Sequence, residues 1–88
     1  MKQAHVFISG TVQGIGYRYF IKSNAQKLSL TGWVCNTEDS RVEAVFNGKK
    51  EKILQMIELC KKGPTFAEVK QVGFEWEEVE RFTDFKIL

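Results

Sequence analysis

The chain has 88 residues, a length that suits a single domain, 1–88, around one modest core. Hydrophobic residues make up 43% and charged residues 27%, an ordinary balance for a globular protein that excludes a disordered or low-complexity chain. The formal net charge of +2 comes from scattered Lys and Arg rather than a basic stripe, which argues against a nucleic-acid partner.

The N-terminal residues Met1-Lys2-Gln3-Ala4-His5 hold no apolar stretch of signal-peptide length. No apolar run approaches the roughly 20 residues that span a bilayer, so a cytoplasmic protein with no membrane partner is expected. Cys35 and Cys60 make no disulfide framework, and a reducing compartment leaves both as thiols. They lack metal-ligand spacing and the only histidine is His5, so a zinc site is poorly supported. The acidic stretch Glu75 to Glu80, interrupted by Trp76 and Val79, reads as a solvated edge.

In chain order, Ala4 to Val12 alternates, with Ala4, Val6 and Ile8 on one side and His5, Phe7 and Ser9 on the other; this predicts a half-buried strand with His5 on its outer face. Gly10, Gly14 and Gly16 mark a loop. The spacing of Tyr17, Phe20, Ile21, Ala25 and Leu28 predicts a helix from Arg18 to about Leu28, with Tyr17 and Phe20 in the core. Leu30 to Asn36 reads as a strand. Thr37-Glu38-Asp39-Ser40 is turn chemistry, and Arg41 to Phe46 completes a hairpin. Asn47 or Gly48 is expected to cap a second helix with Ile53, Met56, Ile57 and Cys60 inward and Lys49, Lys50 and Lys52 solvated. Gly63-Pro64 ends it. Phe66 to Trp76 predicts a fourth strand, with Val72, Phe74 and Trp76 on one side, and Phe82 to Leu88 a short fifth. Trp33 and Trp76 read as core or sheet-face packing rather than ligand platforms.

Strand, helix, strand, strand, helix, strand is the split βαβ order of an α+β, ferredoxin-like sandwich (βαββαβ). The expected form is an antiparallel four- to five-stranded sheet with two helices on one face. That fold hosts many functions, so function rests on a site.

The loop is the first place to look. Three glycines in seven residues admit backbone conformations closed to other residues. Successive N–H groups in such a turn form a nest for an anion, and the helix start adds unpaired donors and about half a positive charge. Arg18 contributes a guanidinium that grips phosphate oxygens in pairs. Taken alone, however, Gly-x-x-x-Gly-x-Gly more often only turns the chain. Tyr19 stands where the dinucleotide fingerprint needs a third glycine, and no Gly-Lys-Ser or Gly-Lys-Thr follows for a nucleotide P-loop.

Gly10-Thr11-Val12-Gln13-Gly14-Ile15-Gly16-Tyr17-Arg18 resembles the first signature of the acylphosphatases. Gly32-Trp33-Val34-Cys35-Asn36, followed by Val42-Glu43 and Gly48, resembles the second. The resemblance covers nearly the whole chain. It implies hydrolysis of a carboxyl–phosphate anhydride, with a small-molecule acyl phosphate as partner, no metal or cofactor, and a monomer. It places Arg18 at the phosphate-binding arginine and Asn36 at the water-orienting asparagine. The backbone N–H groups of Gln13, Gly14, Ile15, Gly16, Tyr17 and Arg18 match the phosphate cradle.

The chemistry is consistent with that residue set. A carboxylate with a pKa near ~4 is a good leaving group and needs little help from a general acid. The transition state requires charge stabilisation and an aligned water. Arg18 and the loop supply the first, and the Asn36 amide the second.

The sequence departs from the family pattern at Ser40, where glycine is usual. If that position needs a positive φ, serine costs roughly 1 kcal/mol; otherwise the turn takes another type. Ile15 replaces the commoner valine. Cys35, beside Asn36, replaces what is often a polar or basic residue and reads as an inert strand residue rather than a redox switch. The competing reading is a non-catalytic ferredoxin-like module that binds phosphate or RNA. RNA-binding members of this topology carry stacking aromatics on the third strand, where this chain has only Phe46 and a repelling Glu43. Arg18 and Asn36 argue against binding without turnover.

Overall fold

The computed structural model describes residues 1–88. Alternation in β1 (Lys2–Thr11) decides which side of the sheet becomes the interior. Ala4, Val6 and Ile8 are fully buried, while His5, Phe7 and Ser9 face the other way and stay partly exposed. An antiparallel register sets them against Phe46, Ala44 and Val42 of β3 (Val42–Gly48). On its other side β1 pairs antiparallel with β4 (Glu68–Trp76), and β2 (Thr31–Asn36) pairs antiparallel with the free side of β3.

Two helices cover the buried face. Tyr17, Ile21 and Ala25 of α1 (Tyr17–Lys27) and Ile53, Met56, Ile57 and Cys60 of α2 (Lys50–Lys62) join the strand residues in one core cluster. Each large apolar side chain buried this way contributes roughly 1.5–3 kcal/mol. Phe20 packs only partly against the core. Neither helix is long and apolar enough to cross a membrane.

The βαββαβ order and the two-helix layer are as expected, but the sheet is mixed rather than antiparallel. Its order is β4-β1-β3-β2-β5, and β5 (Phe85–Ile87) runs parallel to β2, Gly32 lying opposite Phe85. The cause is the segment 77–84. It carries the chain from the β4 edge to the far edge at the end of the sheet where β1 and β2 begin, so β5 must run in their direction.

The same segment corrects two further expectations. Asn47 and Gly48 do not cap α2. The cap is Lys49, in an extended conformation without a side-chain bond. Asn47 belongs to β3 and is buried, its Nδ2 donating to Gln3 Oε1 at 3.1 Å and to the Glu80 carbonyl at 2.9 Å. Nor is Glu75–Glu80 simply a solvated edge. Gln3 Nε2 donates to Glu77 Oε2 at 2.6 Å and Glu80 Oε1 at 2.9 Å, and the Glu80 N–H donates to Gln3 Oε1 at 2.7 Å. A buried carboxamide thus straps segment 77–80 to the sheet with every polar atom paired, as burial demands.

The end of α2 is as expected, whereas the strand expected from Phe66 begins two residues later. Gly63 ends α2 at φ 67, its N–H bonding the Leu59 carbonyl. β4 starts at Glu68 because Pro64 to Ala67 makes a turn, closed by the Ala67 N–H on the Pro64 carbonyl. Trp33 is half-buried on the open sheet face, edge-on to His5 at 5.9 Å; Trp76 stays exposed at the β4 edge beside Phe74. Neither tryptophan is in the core.

Ser40 takes φ 69, the left-handed conformation that costs a side chain about 1 kcal/mol or more. Ser40→Gly is therefore expected to stabilise the protein by about 1 kcal/mol, read as a higher denaturant midpoint at unchanged slope. A midpoint at or below wild type would remove strain as the cost of this turn.

His5 sits between two carboxylates, Nε2 2.5 Å from Glu43 and Nδ1 3.1 Å from Glu77. Glu75 lies opposite it on β4, and the Phe7 ring stacks on it at 5.0 Å. Burial, the largest single influence, lowers the imidazolium pKa, but the bonds and charges of Glu43 and Glu77 together outweigh it and the net pKa is raised. The folded protein thus holds this proton more tightly than the unfolded chain. The resulting stability is full below the ordinary value of about 6.5 and is lost as pH rises through the raised one. Wild-type Tm is expected to fall relative to that of His5→Gln as pH rises above about 6.5. Parallel curves would sever the strap's stability from His5.

Candidate active site

The chain leaves the sheet at Thr11, and Val12 turns back to full burial, pinning the start of the loop. Gly14 and Gly16 follow at φ 75 and 78. A Cβ on either would meet no atom within 4 Å, so glycine answers to the left-handed backbone and not to crowding. The space over the loop is open. Gly16 is also the cap of α1, with no side-chain capping bond and no acidic residue in the first turn. As a result none of the backbone N–H groups from Gln13 to Arg18 has a partner within the protein, the first such bond being Phe20 N–H to the Gly16 carbonyl. The last of them, on Tyr17 and Arg18, lie at the positive end of the α1 dipole.

Tyr17 fixes the helix start from below. Its buried hydroxyl donates to the Cys60 carbonyl at 2.7 Å, satisfying one of the last-turn carbonyls of α2. Burial raises the Tyr17 pKa far above the usual phenol value, so it remains a neutral donor. Arg18, one residue on, is half-buried.

Asn36 ends β2 and is exposed. β1 and β2 run the same way on either side of β3, so Asn36 and the glycine loop lie at one end of the sheet. Arg18 bears on that end too. Burial and the Glu43 charge raise the pKa of Cys35, next to Asn36, while the Arg18 charge pulls it down. The net upward shift leaves Cys35 a thiol, in line with an inert strand residue.

The turn after Asn36 is closed by its own bonds. The Thr37 N–H donates to the Arg41 carbonyl at 2.9 Å and the Arg41 N–H to Thr37 Oγ1 at 3.0 Å. Arg41 is spent on Asp39 at 2.8 Å and on the Phe7 ring at 4.7 Å, which leaves Arg18 as the guanidinium of this end. One contact escaped sequence reading: Gln13 Nε2 donates to the carbonyls of Thr37, at 3.0 Å, and Arg41, at 2.8 Å, joining the loop to the turn. No spacing rule links residues so far apart in the chain, so nothing in the sequence signalled it.

A recess of about 210 Å³ opens beside the loop, lined by Val12, Gly14, Gly16, Tyr17, Arg18, Tyr19 and Ile87. No three His, Cys, Asp or Glu side chains are grouped to hold a metal ion. The arrangement can surround an anion with backbone N–H donors and one guanidinium.

Comparisons with known proteins bear on the family and the fold. The family model described as Acylphosphatase matches residues 4–87. The acylphosphatase of Nostoc sp. is 46% identical over 85 residues, covering 97% of this chain and 84% of that protein. The crystal structure of an acylphosphatase from Bacillus subtilis superposes with a TM-score of 0.97 at 34% identity, covering 100% of this chain and 99% of that one. An acylphosphatase structure from Coxiella burnetii gives 0.96 at 37% identity, covering 99% and 92%. The chain belongs to the acylphosphatase family.

Proposed function

We propose that the chain hydrolyses the carboxyl–phosphate bond of small acyl phosphates, with Arg18 and the Gln13–Arg18 backbone binding the phosphoryl group and Asn36 orienting the water. The observation that carries this reading is the run of unpartnered N–H groups from Gln13 to Arg18, at the same end of the sheet as Asn36. Arg18 grips two phosphoryl oxygens and the loop N–H groups take the third. The Asn36 amide oxygen accepts from the attacking water and holds it in line with the breaking bond. The water oxygen bonds to phosphorus as the bond from phosphorus to the acyl oxygen breaks, and the electron pair leaves on the carboxylate. Asparagine is a poor base, so the water's proton passes to a phosphoryl oxygen, giving carboxylate and dihydrogen phosphate.

The fixed positive charge of Arg18 and the helix start does the stabilising, so the reaction needs no metal or cofactor. The same reading makes the protein a cytoplasmic monomer that engages neither membrane nor nucleic acid. The open sheet face, where an RNA module would stack bases, carries Glu43 and Glu77 against His5.

Benzoyl phosphate should be turned over equally with and without EDTA; strict metal dependence would overturn the mechanism, and no turnover at all would favour a phosphate-binding module. Arg18→Ala and Asn36→Ala should each lower kcat/KM by about 10²–10³ with the far-ultraviolet spectrum unchanged. Near-normal turnover in either variant would strip that residue of its role. Inorganic phosphate should compete with substrate in wild type and far more weakly in Arg18→Ala, and indifference to millimolar phosphate would count against the cradle.

A further inference from the structure

Gln13 contributes to the site at two levels. Its backbone N–H belongs to the unpartnered run, but its side chain points the other way, into the β2–β3 turn. A primary amide has two N–H donors, and each finds a carbonyl: Thr37 at 3.0 Å and Arg41 at 2.8 Å, 24 and 28 positions further along. Those carbonyls sit at the two ends of the turn that begins immediately after Asn36. Within the backbone, the loop and the turn share no hydrogen bond, because β1 and β3 cease to pair at Ile8 and Val42. The carboxamide is therefore the hydrogen-bonded brace between the loop that would hold phosphate and the strand end that would hold water.

We propose that Gln13 is a positioning residue, whose side chain sets the separation between the phosphate cradle and Asn36. The proposal rests on the hydrolytic reading given above. Phosphate affinity depends on the cradle and Arg18 alone, whereas in-line attack requires the two sides of the site to be in register. The brace therefore serves kcat and leaves phosphate binding alone, a split that a merely structural role would not produce.

The test measures kcat and KM for benzoyl phosphate and competitive inhibition by inorganic phosphate in wild type, Gln13→Ala and Gln13→Glu. For Gln13→Ala, kcat should fall by about tenfold to a hundredfold, since small misplacements of reacting groups have effects of that order. Its phosphate inhibition constant should stay within about threefold of wild type, which also reports an intact cradle. Gln13→Glu sets a carboxylate against two carbonyls, and only its protonated form can donate to one of them. Its kcat relative to wild type should thus recover as pH falls through the carboxylate range near ~4–5. Wild-type kcat in Gln13→Ala, a parallel loss of phosphate affinity and kcat, or a pH-independent Gln13→Glu ratio would each overturn the role. An inert wild type would instead overturn the hydrolytic reading, so the two failures are distinct.

Discussion

Six consecutive backbone N–H groups without internal partners face open space, where only water or a ligand can satisfy them. The surrounding structure is arranged to hold them in place regardless. Val12 on one side and Tyr17 on the other are buried to 1% exposure, so the loop is anchored at both ends in the core. Tyr17 is further tied to α2 through the Cys60 carbonyl. The loop between these anchors has little freedom to collapse onto its own carbonyls. Its exposed donors stay aimed at one open region, the form of preorganisation that charge stabilisation in a transition state requires.

The opposite end of the sheet solves a different problem. After β4 the chain has to reach the far edge, and crossing there would leave the polar ends of β1 and β3 beneath it. Gln3 and Asn47 turn that liability into a fastening. Both are buried, and between them they take up the Glu80 backbone and the carboxylates of Glu77 and Glu80. Buried polar networks are favourable only when complete, and this one leaves no buried side-chain donor or acceptor unpaired. β5 exists as a parallel strand because this fastening delivers the chain beside β2.

What could be read from the sequence follows from the range of each signal. Period-two alternation identified the buried face of β1, and helical spacing identified Ile53, Met56, Ile57 and Cys60 of α2, since both depend on neighbours a few residues apart. Asn47 was misread as a cap for the opposite reason: its partners Gln3 and Glu80 are 44 and 33 residues away. Glu77 and Glu80 looked solvated because their attachment to residue 3 is equally remote. The parallel pairing of β5 depends on that same attachment and was invisible with it. At the candidate site the glycines and Arg18 are local and stood out, but on their own they described an ordinary turn. Only the resemblance joined them to Asn36, and the brace that physically joins them, Gln13, is again a long-range contact.

The separation of the two ends has a chemical consequence. In the proposed reaction no general acid or base is supplied by the protein. The loop amides and the Asn36 amide do not titrate, and burial and Glu43 favour the thiol form of Cys35. A leaving group as good as a carboxylate makes that possible, since neither general acid nor strong base is demanded of the protein. His5, between Glu43 and Glu77 on the open sheet face, has its pKa raised above the ordinary value of about 6.5. pH therefore acts on the fastening of segment 77–84 through His5, away from the groups proposed to hold the phosphoryl group and the water.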